Sequence, residues 1–163
     1  MIRDDQIIKR DRMRYTKDTL SSRLVLLAIV LDALYFVSIY RSDVGSYFYN
    51  WLIGASIIYN LLFMLAAFLV SEGLKSRKKG FTPALIILGV MQIVRIFYLP
   101  TRAHAAVVTI SGEEIAVMGN RQYFFVVAWL ALSAVCCIVA AITSYINNKN
   151  LTEYLNSLEE KTA

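Results

Sequence analysis

The sequence predicts an all-α membrane protein, a four-transmembrane-helix bundle with both ends cytoplasmic, a small outer β-hairpin loop and a C-terminal amphipathic helix. Three observations carry this. The 163-residue chain is 58% hydrophobic and only 18% charged, against roughly 45–50% and about 25% in soluble domains. Its apolar residues fall in four blocks, 24–40, 47–70, 81–99 and 123–146, each within the roughly 17–25 residues that cross about 30 Å of hydrocarbon. Thirteen Lys and Arg lie in the two tails and the 72–80 connector, against three in the other connectors. Basic residues are retained inside during insertion, so this bias places both termini in the cytoplasm.

Taken in order, residues 1–23 form a basic amino-terminal arm. Asp4, Asp5, Asp11 and Asp18 interrupt its positive charge, which argues against a phosphate-tracking stripe and so against a nucleic-acid partner. The arm is too long and polar, and the first block too extended, for a cleaved secretory signal. The first block is therefore read as a retained helix, and the transmembrane unit spans 24–146. Gly45 sits in a short turn after it, making helices one and two antiparallel neighbours. Tyr40, Tyr47, Phe48, Tyr49 and Trp51 flank that turn, as aromatic residues do at head-group level. Before the third block, Thr82 is expected to cap the helix with Pro83 at its first position. Pro100 is expected to end it.

The outer loop, 100–122, carries its own pattern. Val107 to Ile110 and Ile115 to Val117 are β-prone runs on either side of Ser111-Gly112-Glu113-Glu114, and they read as a hairpin that either caps its own bundle, which is preferred, or meets a partner. The tail, 147–163, starts with a capping pattern, Asn150 with Glu153. Leu151, Tyr154, Leu155 and Leu158 then follow the spacing of one apolar helix face. Glu153, Glu159 and Glu160 on its polar side would be repelled by anionic lipid, so this stripe is expected to dock on a protein.

Asp32, Asn60, Gln92 and Arg95 lie deep inside the apolar blocks, where charge costs several kcal/mol and marks a candidate site. At about 1.5 Å per residue, Asp32 lies about 12 Å in from the cytoplasmic side, Gln92 about 16 Å, Arg95 about 21 Å and Asn60 about 15 Å. Two arrangements are open. Arg95 reaches Asp32 and the layer is a structural clamp, or Arg95 extends outward and Asp32 becomes a proton carrier. The clamp is preferred because Asn60 and Gln92 supply the extra hydrogen bonds that a buried pair needs.

On the fourth block, Ser133, Cys137 and Ala141 form a ridge of small residues that lets another helix, in this bundle or a neighbouring subunit, approach closely. Cys136 and Cys137 are adjacent on a helix and cannot bridge. His104 has no ligand set around it and is expected to be an exposed loop residue. No metal or cofactor is expected. No nucleophile elbow, zinc motif or phosphate loop is present, and an enzyme is not expected.

The four-helix plan with an acidic residue, Asp32, in the first helix is similar to small multidrug exporters, from which the long tails and outer hairpin depart. Size and inward-facing ends are also similar to small membrane subunits of solute transporters. The expectation is an integral protein of the plasma (inner) membrane, an accessory or structural subunit that contacts lipid and a membrane-protein partner or its own copies. The alternative is a small oligomeric transporter coupled to protons or cations through Asp32.

Overall fold

The computed structural model describes residues 18–40, 51–78, 80–110 and 113–160, together with Asp5 and Ile7. Its elements are α1 (Thr19–Tyr40), α2 (Trp51–Lys75), α3 (Phe81–Tyr98), α4 (Pro100–Ala105), β1 (Val107–Ile110), β2 (Glu113–Ala116) and α5 (Asn120–Glu160). Four helical stretches are long and apolar enough to cross a membrane. The turn at 41–46 and most of the basic arm lie outside the described residues.

Helix α1 begins five residues before the apolar block because Asp18 caps it. The Asp18 carboxylate accepts the Ser21 amide at 3.3 Å and the Ser21 hydroxyl at 2.8 Å, satisfying an amide that the first turn leaves free. Helix α2 likewise outruns its apolar block and takes in Glu72 to Lys75, which were expected as connector. Its end is a closed turn in which the Arg77 amide donates to the Leu74 carbonyl at 2.9 Å and the Lys78 amide to that of Gly73 at 3.3 Å. Arg77 takes the left-handed conformation, φ 51°, that this closure requires and that usually selects glycine. Its guanidinium reaches the Asn147 carbonyl of α5 at 3.3 Å.

Two expectations at helix ends are corrected. Thr82 is not a cap: α3 starts at Phe81 after Gly80 with no side-chain cap, and the Thr82 hydroxyl instead pairs with that of Ser144 on α5 at 3.2 Å. No new helix starts at Asn150, since α5 runs unbroken through it. Residues 147–150 contain no Gly or Pro, and extending a helix costs less than nucleating another. Pro100 does separate α3 from α4, where it occupies the first turn.

The helices form a ring in which α5 packs along α1 and α3, α2 lies mainly on α1, and the α2–α3 seam is the slightest. Two apolar clusters fill the interior. One, towards the α2–α3 turn, includes Val25, Phe63, Leu74, Leu85 and Ala140. The other, towards the hairpin, includes Tyr35, Ile39, Leu99, Met118 and Leu130.

Strands β1 and β2 are antiparallel, with Val107 opposite Ala116 and Ile110 opposite Glu113. The second strand is therefore set two residues earlier than expected. Glu113 and Glu114 pair with Ile110 and Thr109 rather than standing in a turn, and Val117 leaves the strand for the core. The ladder continues past the strand ends, where the Val117 amide donates to the carbonyl of Ala106, the residue between α4 and β1, at 3.0 Å. His104 is not an exposed loop residue. It lies on α4, stacks on Tyr123 with ring centroids 4.3 Å apart, and places Nδ1 3.3 Å from the Met118 carbonyl oxygen.

Candidate functional site: a buried polar layer

Between the two apolar clusters lies a layer of polar side chains contributed by all four long helices. Asp32 comes from α1, one turn after Ala28 and one before Tyr35. Asn60 is on α2, Gln92 and Arg95 share a face of α3 at three-residue spacing, and Ser133 faces them from α5. All five are buried.

The structure brings the four sequence-selected residues into one hydrogen-bonded group. Arg95 Nη1 donates to Asp32 Oδ1 at 2.8 Å, and Arg95 Nη2 donates to Asn60 Oδ1. Gln92 Nε2 donates to the same Asp32 oxygen at 3.0 Å and lies 3.4 Å from the Ser133 hydroxyl. Ser133 in turn donates to the Ala28 carbonyl at 3.0 Å. An arginine suits this position because its planar fork serves two acceptors on different helices at once. Asp32 cancels its charge, so the layer is neutral as a whole.

Aromatic rings complete the setting of the guanidinium. The Arg95 Cζ lies 4.3 Å from the Tyr35 ring centroid and 4.9 Å from that of Tyr59, both within cation–π range. Neither tyrosine was singled out from the sequence. The available signal was spacing: Tyr35 is one turn from Asp32, and Tyr59 adjoins Asn60. Ser133 was read only as a packing residue, although its hydroxyl links the layer to the α1 backbone. Asp18 was read as a charge diluting the arm, yet besides capping α1 it accepts from Asn147 Nδ2 at 3.3 Å.

One part of the layer is incompletely paired. Asp32 Oδ2 and Gln92 Oε1 are buried and meet no donor among the described residues. A buried acceptor without a donor costs about 1–3 kcal/mol. The carboxylate therefore has one oxygen committed to Arg95 and Gln92 and one open to a proton or another donor.

Of the other sequence-selected residues, only Ser133 joins the layer among the described residues. Ser133, Cys137 and Ala141 are buried inside this bundle, so the small ridge serves α1 and α3 rather than a neighbouring subunit. An added Cβ at Gly89 of α3 would stand 3.4 Å from Cys137 Cβ and 3.0 Å from Ile138 Cγ1, showing how closely the backbones approach there. Leu151, Tyr154 and Leu155 are half-buried on the last turns of α5, while the Leu158 side chain lies outside the described residues. Among the described residues, no three His, Cys, Asp or Glu side chains converge as a metal site would require.

No family model, no curated protein and no solved structure matches the chain.

Proposed function

We propose that the protein is a non-catalytic integral membrane subunit that works by assembling with a larger membrane-protein partner. One observation supports this above the others. The two charged interior groups, Arg95 and Asp32, are paired with each other, whereas apolar side chains beyond the spans face outward. Val107 and Ile115 of the hairpin are 50% and 48% exposed. At the opposite end α5 continues past the apolar span and carries Leu151, Tyr154 and Leu155 with it. The lateral faces of the four helices, with Val30, Leu62, Val94 and Ile142 exposed, have the apolar character that lipid covers. The plasma (inner) membrane is the proposed location, and the distribution of Lys and Arg supports an orientation with both termini cytoplasmic.

The test is purification of the tagged full chain from its native membrane in mild detergent, with mass spectrometry of what accompanies it. A larger membrane protein in fixed stoichiometry is the expected result. Its loss in a Val107→Ser, Ile115→Ser double variant would place the contact on the hairpin. Recovery of the chain alone or only as a homo-oligomer would overturn the reading.

A second reading, a small transporter coupled to protons or cations, is favoured by Asp32 Oδ2, the buried carboxylate oxygen without a donor. It requires solute-dependent proton flux in liposomes that Asp32→Asn abolishes while the bundle remains folded. Loss of folding in that variant, with no flux in the wild type, assigns Asp32 to the clamp alone.

A further inference from the structure

The slight α2–α3 seam leaves a cleft of about 310 Å³. Ala55 and Tyr59 of α2 and Met91, Val94 and Tyr98 of α3 wall it, and Arg95 lies at its floor. Its rim faces outward from the bundle, with Val94 62% exposed, so it opens onto the surface that the proposed membrane placement gives to lipid. At its hairpin end stands Arg102 of α4, exposed, with Cζ 5.5 Å from the ring centroid of Tyr98.

The two arginines differ in what they can offer a ligand. Arg95 is neutralised by Asp32 and enclosed by two tyrosines, so it attracts no further anion. Arg102 has no acidic or hydrogen-bond partner among the described residues and sits on the aromatic ring that forms the cleft's mouth. An apolar slot ending at an exposed cation on an aromatic platform, with no acidic partner among the described residues, matches an amphiphile with an acyl chain and an anionic head.

We propose that this cleft binds one anionic phospholipid, its acyl chain lying between α2 and α3 against Ala55, Met91 and Val94 and its phosphate held by Arg102. The chain fills space that the two helices leave between them. The phosphate supplies Arg102 with the charge-assisted partner that none of the described residues provides. Arg95 stays with Asp32 and takes no part in selecting the head group.

The experiment uses the purified full-length chain in detergent micelles doped with phosphatidylglycerol or with phosphatidylcholine of identical acyl chains, and native mass spectrometry counts the retained lipid. Wild type should retain one phosphatidylglycerol per chain, about five-fold in preference to phosphatidylcholine, the effect expected of one basic residue on an anionic lipid. Arg102→Gln should abolish the preference and Arg102→Lys should keep it. Val94→Trp, placed at the exposed rim where it blocks the slot without entering the core, should reduce retention of both lipids. Lys149→Gln, at the far end of the bundle, should change nothing. Equal retention of the two lipids by wild type would mean that the cleft holds bulk lipid chains only and would overturn the proposal. So would an undiminished preference in Arg102→Gln, or a loss that follows Lys149→Gln instead.

Discussion

The bundle is closed on one side and open on the other, and the difference comes from side chains at equivalent depth. Where α5 meets α1 and α3, the contact residues are small or hydroxylated: Ala28, Gly89, Ser133, Ala134, Cys137 and Ala141. Backbones come close enough there for Ser133 to bond the Ala28 carbonyl and for Gly89 to leave no spare room against Ile138. Where α2 meets α3, Tyr59, Met91 and Val94 line the cleft that remains. Near that cleft the polar tie between the two helices is Arg95 to Asn60. Lipid tails are as apolar as leucine, so burying apolar area does little to pull membrane helices together. Close approach and polar ties do, and the α2–α3 seam has a tie without the close approach.

The largest expected effect follows from the tie that serves both sides. Arg95→Met removes the partner of Asp32 and Asn60 together and strands a buried carboxylate, which costs about 3–5 kcal/mol in comparable pairs. Denaturant unfolding in detergent micelles, followed by helical circular dichroism, measures it. Adding Asp32→Asn should recover most of that loss, because no charge then remains unpaired. If the double variant is as unstable as the sum of the two single ones, the pair is not acting as a clamp. The contrast between the two seams would then need another origin.

A smaller effect tests the closed side directly. Gly89→Leu puts a side chain where even a Cβ meets Ile138 Cγ1 at 3.0 Å and the Ala134 carbonyl oxygen at 3.4 Å. Overpacking of this kind costs about 1–3 kcal/mol, and the same unfolding assay should show it. The matching small-to-large change on the open side, Ala55→Leu at the cleft wall, should stay within about 0.5 kcal/mol. Equal losses at the two positions would mean that the seams are packed alike.

How much of this was open to sequence reading varies with the kind of signal. The four helices were legible because about 20 consecutive apolar residues admit few other structures. Their ends were not. The limits of apolar blocks mark where polarity changes, while α1 and α2 end at bonds made by Asp18 and by Arg77, both beyond the blocks. Counting residues placed Asp32, Asn60 and Gln92 at one depth, yet whether Arg95 turned inward or outward depends on the rings of Tyr35 and Tyr59, which lie on other helices. Depth is a property of one helix; rotation about the axis is set by neighbours. The same limit hid the role of Ser133, and it left the small ridge open between an internal and an external use.

The smallest effect is the most discriminating for the argument about approach distance. Ser133→Ala keeps the small ridge and removes only the hydroxyl, with its bond to the Ala28 carbonyl and its contact with Gln92 Nε2. Interhelical hydrogen bonds in membranes average about 0.6 kcal/mol by double-mutant cycles, and a loss of that size is expected, near the limit of the unfolding assay. Ser133→Leu keeps an apolar surface and adds bulk at a fully buried position, so it should cost about 1–3 kcal/mol. If alanine and leucine were equally damaging, the hydroxyl bond would be holding α5 to α1. A larger loss with leucine means that the closed side is closed by small side chains first, and that the polar ties form because the backbones have already met.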